Sequence, residues 1–151
     1  FCARTLEAYG KRFTFGDVER ASRLALDEGV YYAHFLILGG YGDTRENVRE
    51  TIENSRRMEY TVMFPYAGMR IYPHTRLAEL AAKEGAIGRD DDLMAPSYYI
   101  SRDFDLEEVR RAALATGKAW VFPDDPQSAL ADTLRLKRNK KGPLWEYLRK
   151  P

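Results

Sequence analysis

The 151-residue chain has one cysteine, Cys2, and two histidines, His34 and His74. A lone thiol excludes an internal disulfide, and it excludes any cysteine-only zinc or iron-sulfur site built from this chain alone. The histidines lie forty residues apart in sequence with no acidic residue or cysteine at ligand spacing beside them, so no metal site is expected. Each reads as a hydrogen-bonded structural histidine, with ligand contact as the other reading. No apolar run approaches the roughly 18 residues of a membrane-spanning helix, and no basic-then-apolar leader opens the chain. It therefore reads as soluble and cytoplasmic. Charge of one sign is missing too: 24 Lys and Arg face 23 Asp and Glu, for a formal net charge of +1, which gives no bulk attraction to nucleic acid or anionic membranes. Repeats and low-complexity tracts are absent, and the opening at Phe1 without an initiator Met leads us to expect a fragment or processed form.

What is present is helix-start chemistry. Thr14 and Asp17 stand at capping-box spacing, and Val18, Ala21, Leu24 and Ala25 follow at helical period up to Gly29, which predicts a helix over 15–28. Asp43 with Glu46 repeats the device ahead of a narrow buried stripe of Val48, Ile52 and Ser55 or Met58. Thr75 opens a helix carrying Leu77, Leu80 and Ala81 that stops at Gly85, and Asp105 with Glu108 opens a fourth over 106–117. A further helix is expected over 127–137.

Between the first two helices, Val30 to Leu38 has almost no polar group on either side of its alternation, which predicts a strand buried on both faces, as in covered parallel sheets. A second strand runs from Tyr60 to Phe64, is interrupted at Pro65, and resumes over Gly68 to Tyr72; the proline implies an edge, bulge or break. Helix and strand alternate up to Gly85, the order of consecutive parallel αβ units. Beyond it, Arg89 to Asp92 reads as a charged loop, Leu93 to Ser101 as an extended apolar segment, and the remainder as an α-rich cap, so the chain divides at 87/88. The stretch Arg135 to Lys150 holds seven basic residues and one acid, leaving a formal −5 elsewhere.

Chemistry concentrates in two loops. Gly39-Gly40-Tyr41-Gly42-Asp43-Thr44 follows the apolar strand at its C-terminal end, where parallel sheets bind ligands. Its glycines suit either a tight turn or close approach to a ligand, and it matches neither GxxxxGK[ST] nor GxGxxG. Arg70, inside the second apolar strand, should point to a site anion or meet a carboxylate. Asp90 to Asp92 read as a solvated or capping loop, lacking calcium-loop spacing. The aromatics Tyr98, Tyr99, Trp120, Phe122, Trp145 and Tyr147 read as packing, or alternatively as the wall of a cavity for a flat ligand.

Taken together, HFLILGGYGDTREN and GMRIYPHTRLAELAAKEGAI resemble the last two strand-loop-helix units of radical S-adenosylmethionine enzymes, whose fifth strand ends in a GxPGET-like turn and sixth in a PGT-like turn. Tyr41 stands where Pro is usual, Asp43 where Glu is usual and His74 where Gly is usual. The form GxRIYPxTxLAxxAxxEG, with DDLxxPxYYIS and a late GPLW, is similar to the subgroup that adds an N-terminal cobalamin-binding domain. The resemblance implies an α/β fold: residues 1–87 as the C-terminal strand-helix units of a partial (β/α)6 TIM-like barrel, and 88–151 as an α-rich extension packed on it.

It further implies reductive cleavage of S-adenosylmethionine to a 5′-deoxyadenosyl radical, with a four-iron four-sulfur cluster and, in the subgroup, cobalamin. The cluster's CxxxCxxC would lie in a missing N-terminal part of the same protein, and this piece alone would be inactive. Phe35 and Ile37 would face the barrel interior against adenine, Gly39 and Gly40 would let the backbone approach the nucleoside, and Arg70 and Tyr72 would point toward cofactor or substrate. Loss of preceding strands would leave the Val30–Leu38 edge unpaired, so self-association there is expected unless the cap folds over it. A non-catalytic interaction module, docking a partner through the basic Trp-bearing tail and aromatic cap, is the alternative.

Overall fold

The computed structural model describes residues 1–88, 90–123, 143–149 and 151. The expected helix over 127–137 and most of the basic stretch lie outside the described residues. Helix α1 (Ala3–Ala8) leads to α2 (Phe15–Asp27), β1 (His34–Leu38), α3 (Arg45–Asn54), β2 (Val62–Ala67), β3 (Met69–Ile71), α4 (Arg76–Lys83), β4 (Ser97–Tyr99), α5 (Leu106–Ala115) and β5 (Ala119–Trp120), with a 3-10 helix over Leu144–Leu148.

The result is a mixed α/β fold with a three-stranded sheet in the order β1-β2-β5, parallel throughout, and a separate antiparallel pair β3-β4. Both sheets join residues from either side of position 87. The described part of 88–151 contributes one α-helix, the 3-10 helix and two short strands.

Three caps form as the residue pattern predicts. Thr14 accepts from the Asp17 amide while the Asp17 carboxylate returns the bond, Thr75 accepts from Ala78, and Asp105 accepts from Glu107 and Glu108. The fourth corrects the reading: α3 is capped by Thr44, which accepts from the Asn47 amide, and not by Asp43. Val48 and Ile52 of the expected stripe are buried, and so are both alternatives for its end, Ser55 and Met58. Asp91 and Asp92 accept from the amides of Leu93 and Met94, the local turn role expected of that acidic loop.

The main core lies on one face of the parallel sheet. Leu36, Leu38, Met63 and Trp120 pack there against Val48 and Ile52 of α3 and Val109 and Ala113 of α5, with Phe15 and Val18 of α2 at its margin. Glu108 of α5 ties the layer together, accepting from Arg45 Nε and Arg49 Nε of α3, both at 3.0 Å. Those bonds hold the Glu108 carboxyl down at about 2. A second cluster of Ile71, Ala81, Leu93 and Tyr99 fills the space between α4 and the β3-β4 pair.

Two strand expectations are revised. The apolar stretch Val30 to Leu38 yields a strand only from His34, and it is buried on one face instead of two: among the described residues the core formed with α3 and α5 lies on the Leu36 and Leu38 side. The break in the second strand falls at Gly68, not at Pro65. Pro65 sits inside β2, and the reason is geometric. The Met63 carbonyl accepts from the Val121 amide, so Pro65, two residues on, turns its main chain toward the same side just past the end of β5, where no ladder donor is needed.

Candidate functional site

The loop after β1 is organised by Asp43. Its carboxylate is 5% exposed and accepts three hydrogen bonds: from the Thr5 hydroxyl at 2.6 Å, the Tyr9 hydroxyl at 2.9 Å and the Gly39 amide at 2.9 Å. The Ser101 hydroxyl donates to the Asp43 carbonyl at 2.8 Å, and the Ser101 amide to the Gly39 carbonyl at 2.7 Å. One acid therefore joins α1, the loop after β1 and the segment leaving β4. Burial and the Asp43 charge raise the Tyr9 phenol, which stays protonated and donating. Local pattern reading takes Asp43 for a helix cap because its partners lie 38 and 34 residues away. The signal that distinguishes the roles is the adjacent Thr44, itself a competent cap.

Gly39 and Gly40 are buried under the chain's own side chains. Gly39 has φ +74, and a Cβ there would fall within the Phe104 ring; one on Gly40 would strike the Tyr9 hydroxyl. Both positions thus need glycine for close packing, and the backbone approach expected there is made by Phe104 and Tyr9.

Phe35 and Ile37 are brought together on the face of the parallel sheet opposite the main core, 69% and 39% exposed. In register beside them on β2 stand Phe64 and Tyr66, the latter 42% exposed. The Phe35 and Phe64 rings stack at 5.1 Å between centroids and 15° between planes, and Phe35 and Tyr66 at 6.2 Å and 20°. Phe64 is half-buried and Val62, on the same face, is fully buried, so the exposure is confined to Phe35, Ile37 and Tyr66; parallel sheets ordinarily hide both faces, which makes this exposed patch unusual.

Arg70 belongs to the other sheet, and Tyr72 follows the end of its strand β3. Arg70 is exposed, lies opposite Tyr98 across the β3-β4 pair, and stacks its guanidinium over the Tyr72 ring at 4.8 Å, without an ion pair among the described residues. The expectation of a salt bridge gives way to a cation–π contact with a neighbour two residues on. Tyr99 and Trp120 are buried and Phe122 half-buried, in keeping with the packing reading of the aromatics, whereas Tyr98 is exposed. Trp145 is half-buried in the C-terminal 3-10 helix.

His34 is half-buried, with its ring edge-on to Phe1 and Tyr32 and Nε2 3.5 Å from the Ser22 hydroxyl. Burial lowers it to about 4, so the imidazole is neutral at pH 7. His74 is exposed at φ +60, a left-handed turn that glycine enters without strain. Cys2 is fully buried, donating its thiol to Glu50 at 3.2 Å, and no cluster of three potential metal ligands occurs among the described residues. No helix among them is long and apolar enough to cross a membrane.

No protein-family model, no curated protein and no solved structure matches this chain.

Proposed function

We propose that the chain is the closing part of a partial (β/α)6 TIM-like barrel in a radical S-adenosylmethionine enzyme, and that its bare sheet face is one wall of the cofactor and substrate pocket. The observation that carries the reading is the apolar face on two parallel strands where Phe35, Ile37 and Tyr66 stand exposed beside the half-buried Phe64. In a barrel that face is the interior, and an interior wall is the one part of a parallel sheet whose cover is a ligand or the opposite wall. The motifs running from the β1 loop to the GPLW stretch support the same assignment.

Within this reading Phe35 and Ile37 pack against the nucleoside and exclude water from it. Gly39 and Gly40 act one step removed, letting Phe104 and Tyr9 close on the turn. Arg70 of β3 and Tyr72 just past its end form a cation–π pair that is available to substrate. The iron-sulfur cluster does not fit this chain: three thiolates are needed, and the single cysteine is buried against Glu50. Its ligands, and any cobalamin-binding domain, belong to another part of the enzyme, and the 151 residues alone are inactive. Reductive chemistry is then supplied by the cofactors, and the role of these residues is orientation and water exclusion.

The test is titration of the reconstituted holoenzyme with S-adenosylmethionine. Ile37→Asp puts a carboxylate into the apolar wall and is expected to weaken binding by about tenfold or more, the equivalent of about 1.4 kcal/mol. Unchanged affinity in a variant that still folds removes this face from the pocket.

A further inference from the structure

One end of the face that carries Phe35, Ile37 and Tyr66 is closed by the chain's own last residues. Val62 belongs to that face, since its neighbour Met63 points into the main core. Along this side of β2, Val62 is fully buried, Phe64 half-buried and Tyr66 exposed. Cover is therefore complete at the N-terminal end of the strand and gone at its C-terminal end.

Three contacts place the C-terminal segment across that covered end. The 3-10 helix Leu144–Leu148 lies against β2. Arg149 sets its guanidinium over the ring of Tyr31, just ahead of β1, at 3.8 Å, and its Nε donates to the Glu146 carbonyl at 2.9 Å, which fixes the turn that carries it. Lys118, the residue before β5, donates from Nζ to the Pro151 carbonyl at 3.0 Å. Because β1, β2 and β5 are parallel, Tyr31 and Lys118 stand at the same end of the sheet, with the start of β2 between them. The two edges of β2 are taken by β1 and β5, and its Met63 face by α3 and α5. The 3-10 helix therefore meets β2 at its start, on the side of Val62, and Trp145, Glu146 and Arg149 are half-buried there.

We infer that residues 143–149 are the floor of the site: they seal the N-terminal end of this face, admit a ligand only from the C-terminal ends of the strands, and confine its apolar contact to the stretch from Phe35 to Ile37. Two residues of strand span about 7 Å, the length of one ring system. The class of ligand that fits is a flat ring laid along the stacked Phe35 and Phe64 rings, with its polar substituents leaving past Ile37 and Tyr66. An extended alkyl chain is stopped at Val62 and finds no further apolar surface. Arg149 is a positioning residue here, acting through Tyr31 and touching no ligand itself. A face open at both ends stays wet, so the floor is what lets Phe35 and Ile37 exclude water. The ring specificity rests on the reading of this face as a pocket wall; the floor does not.

Methyl NMR on the 151-residue chain tests both parts, with a soluble gadolinium chelate reading the floor and indole as the ring probe. In the intact chain the Val62 methyls should be shielded from the chelate while those of the exposed Ile37 relax freely. Removing residues 143–151 should raise Val62 relaxation to the Ile37 level and leave the buried Met63 methyl shielded, which also reports that the chain is folded. Trp145→Ser combined with Arg149→Ala keeps the chain length and should act in the same way, whereas Arg149→Lys, which retains a cation over Tyr31, should not. Indole should give cross-peaks to Phe35 and Tyr66 in every form, and to Val62 only when the floor is gone. Three results overturn the floor: Val62 relaxing like Ile37 in the intact chain, Val62 still shielded in both floor variants, or indole reaching Val62 in the intact chain. Indole that reaches neither Phe35 nor Tyr66 in any form overturns the ring specificity and the pocket wall beneath it, while the Val62 methyls still decide the floor.

Discussion

Replacing Asp43 by alanine should be among the most damaging single substitutions in the molecule, although the residue sits in a loop. Three donors lose their acceptor at once: the Thr5 hydroxyl, the Tyr9 hydroxyl and the Gly39 amide. A hydrogen bond to a charged group is worth about 1.5–3 kcal/mol, and a buried donor left unpaired costs about 1–3 kcal/mol. The three bonds share one carboxylate and the cavity left behind can admit water, so they do not sum. Asp43→Ala is expected to lose about 3–5 kcal/mol, a large share of the roughly 5–15 kcal/mol typical of a domain. Asp43→Asn keeps an oxygen for two of the donors and turns an amide toward the Thr5 hydroxyl, which can rotate to accept, so it should lose about 1–2 kcal/mol. Urea unfolding measures both through the midpoint at constant slope. Tyr9→Phe provides the cross-check: its loss of about 1 kcal/mol should shrink in the Asp43→Ala background, since the partner is already gone. An alanine variant within about 0.5 kcal/mol of the parent, the range of an ordinary surface change, would refute the claim that this carboxylate organises the loop.

Two other perturbations follow from the same geometry. His34 is lowered by burial to about 4, so the neutral ring contributes stability that is complete above its unfolded value near 6.5 and lost as pH falls toward 4; His34→Gln should flatten that part of the stability–pH curve, and an unchanged slope between pH 6.5 and 4 would contradict the assignment. Gly39→Ala drives a methyl into the Phe104 ring at φ +74 and should cost about 2–4 kcal/mol, with partial recovery when Phe104→Ala is added; calorimetric melting of the single and double variants checks it.

Much of this architecture is legible in the residues themselves, and the exceptions share a cause. Thr14, Thr75 and Asp105 announce their helices because a cap and its amide are three residues apart or fewer. Asp43 misleads because its partners are brought from α1 by the fold. The stretch Val30 to Leu38 has apolar residues on both alternations, and that pattern states a capacity for burial on two faces, not which face is covered in this chain. Strand β5 has two residues and α1 six, too short for periodicity to register. For the candidate site, Phe35 and Ile37 share a face as the alternation requires. The burial of Gly39 and Gly40 depends on Phe104 and Tyr9, which no spacing rule connects to them.

Pro65 has a consequence for how far the sheet can propagate. On the β5 side β2 is bonded at only two positions, and the next main-chain group facing that way is an imino nitrogen with no hydrogen to give. Pro65 stands on the middle strand, so it leaves the outer edges of β1 and β5 as they are and acts only on a longer β5. A lengthened partner there would find a missing donor opposite it at the first position past Trp120, which holds that pairing to two residues.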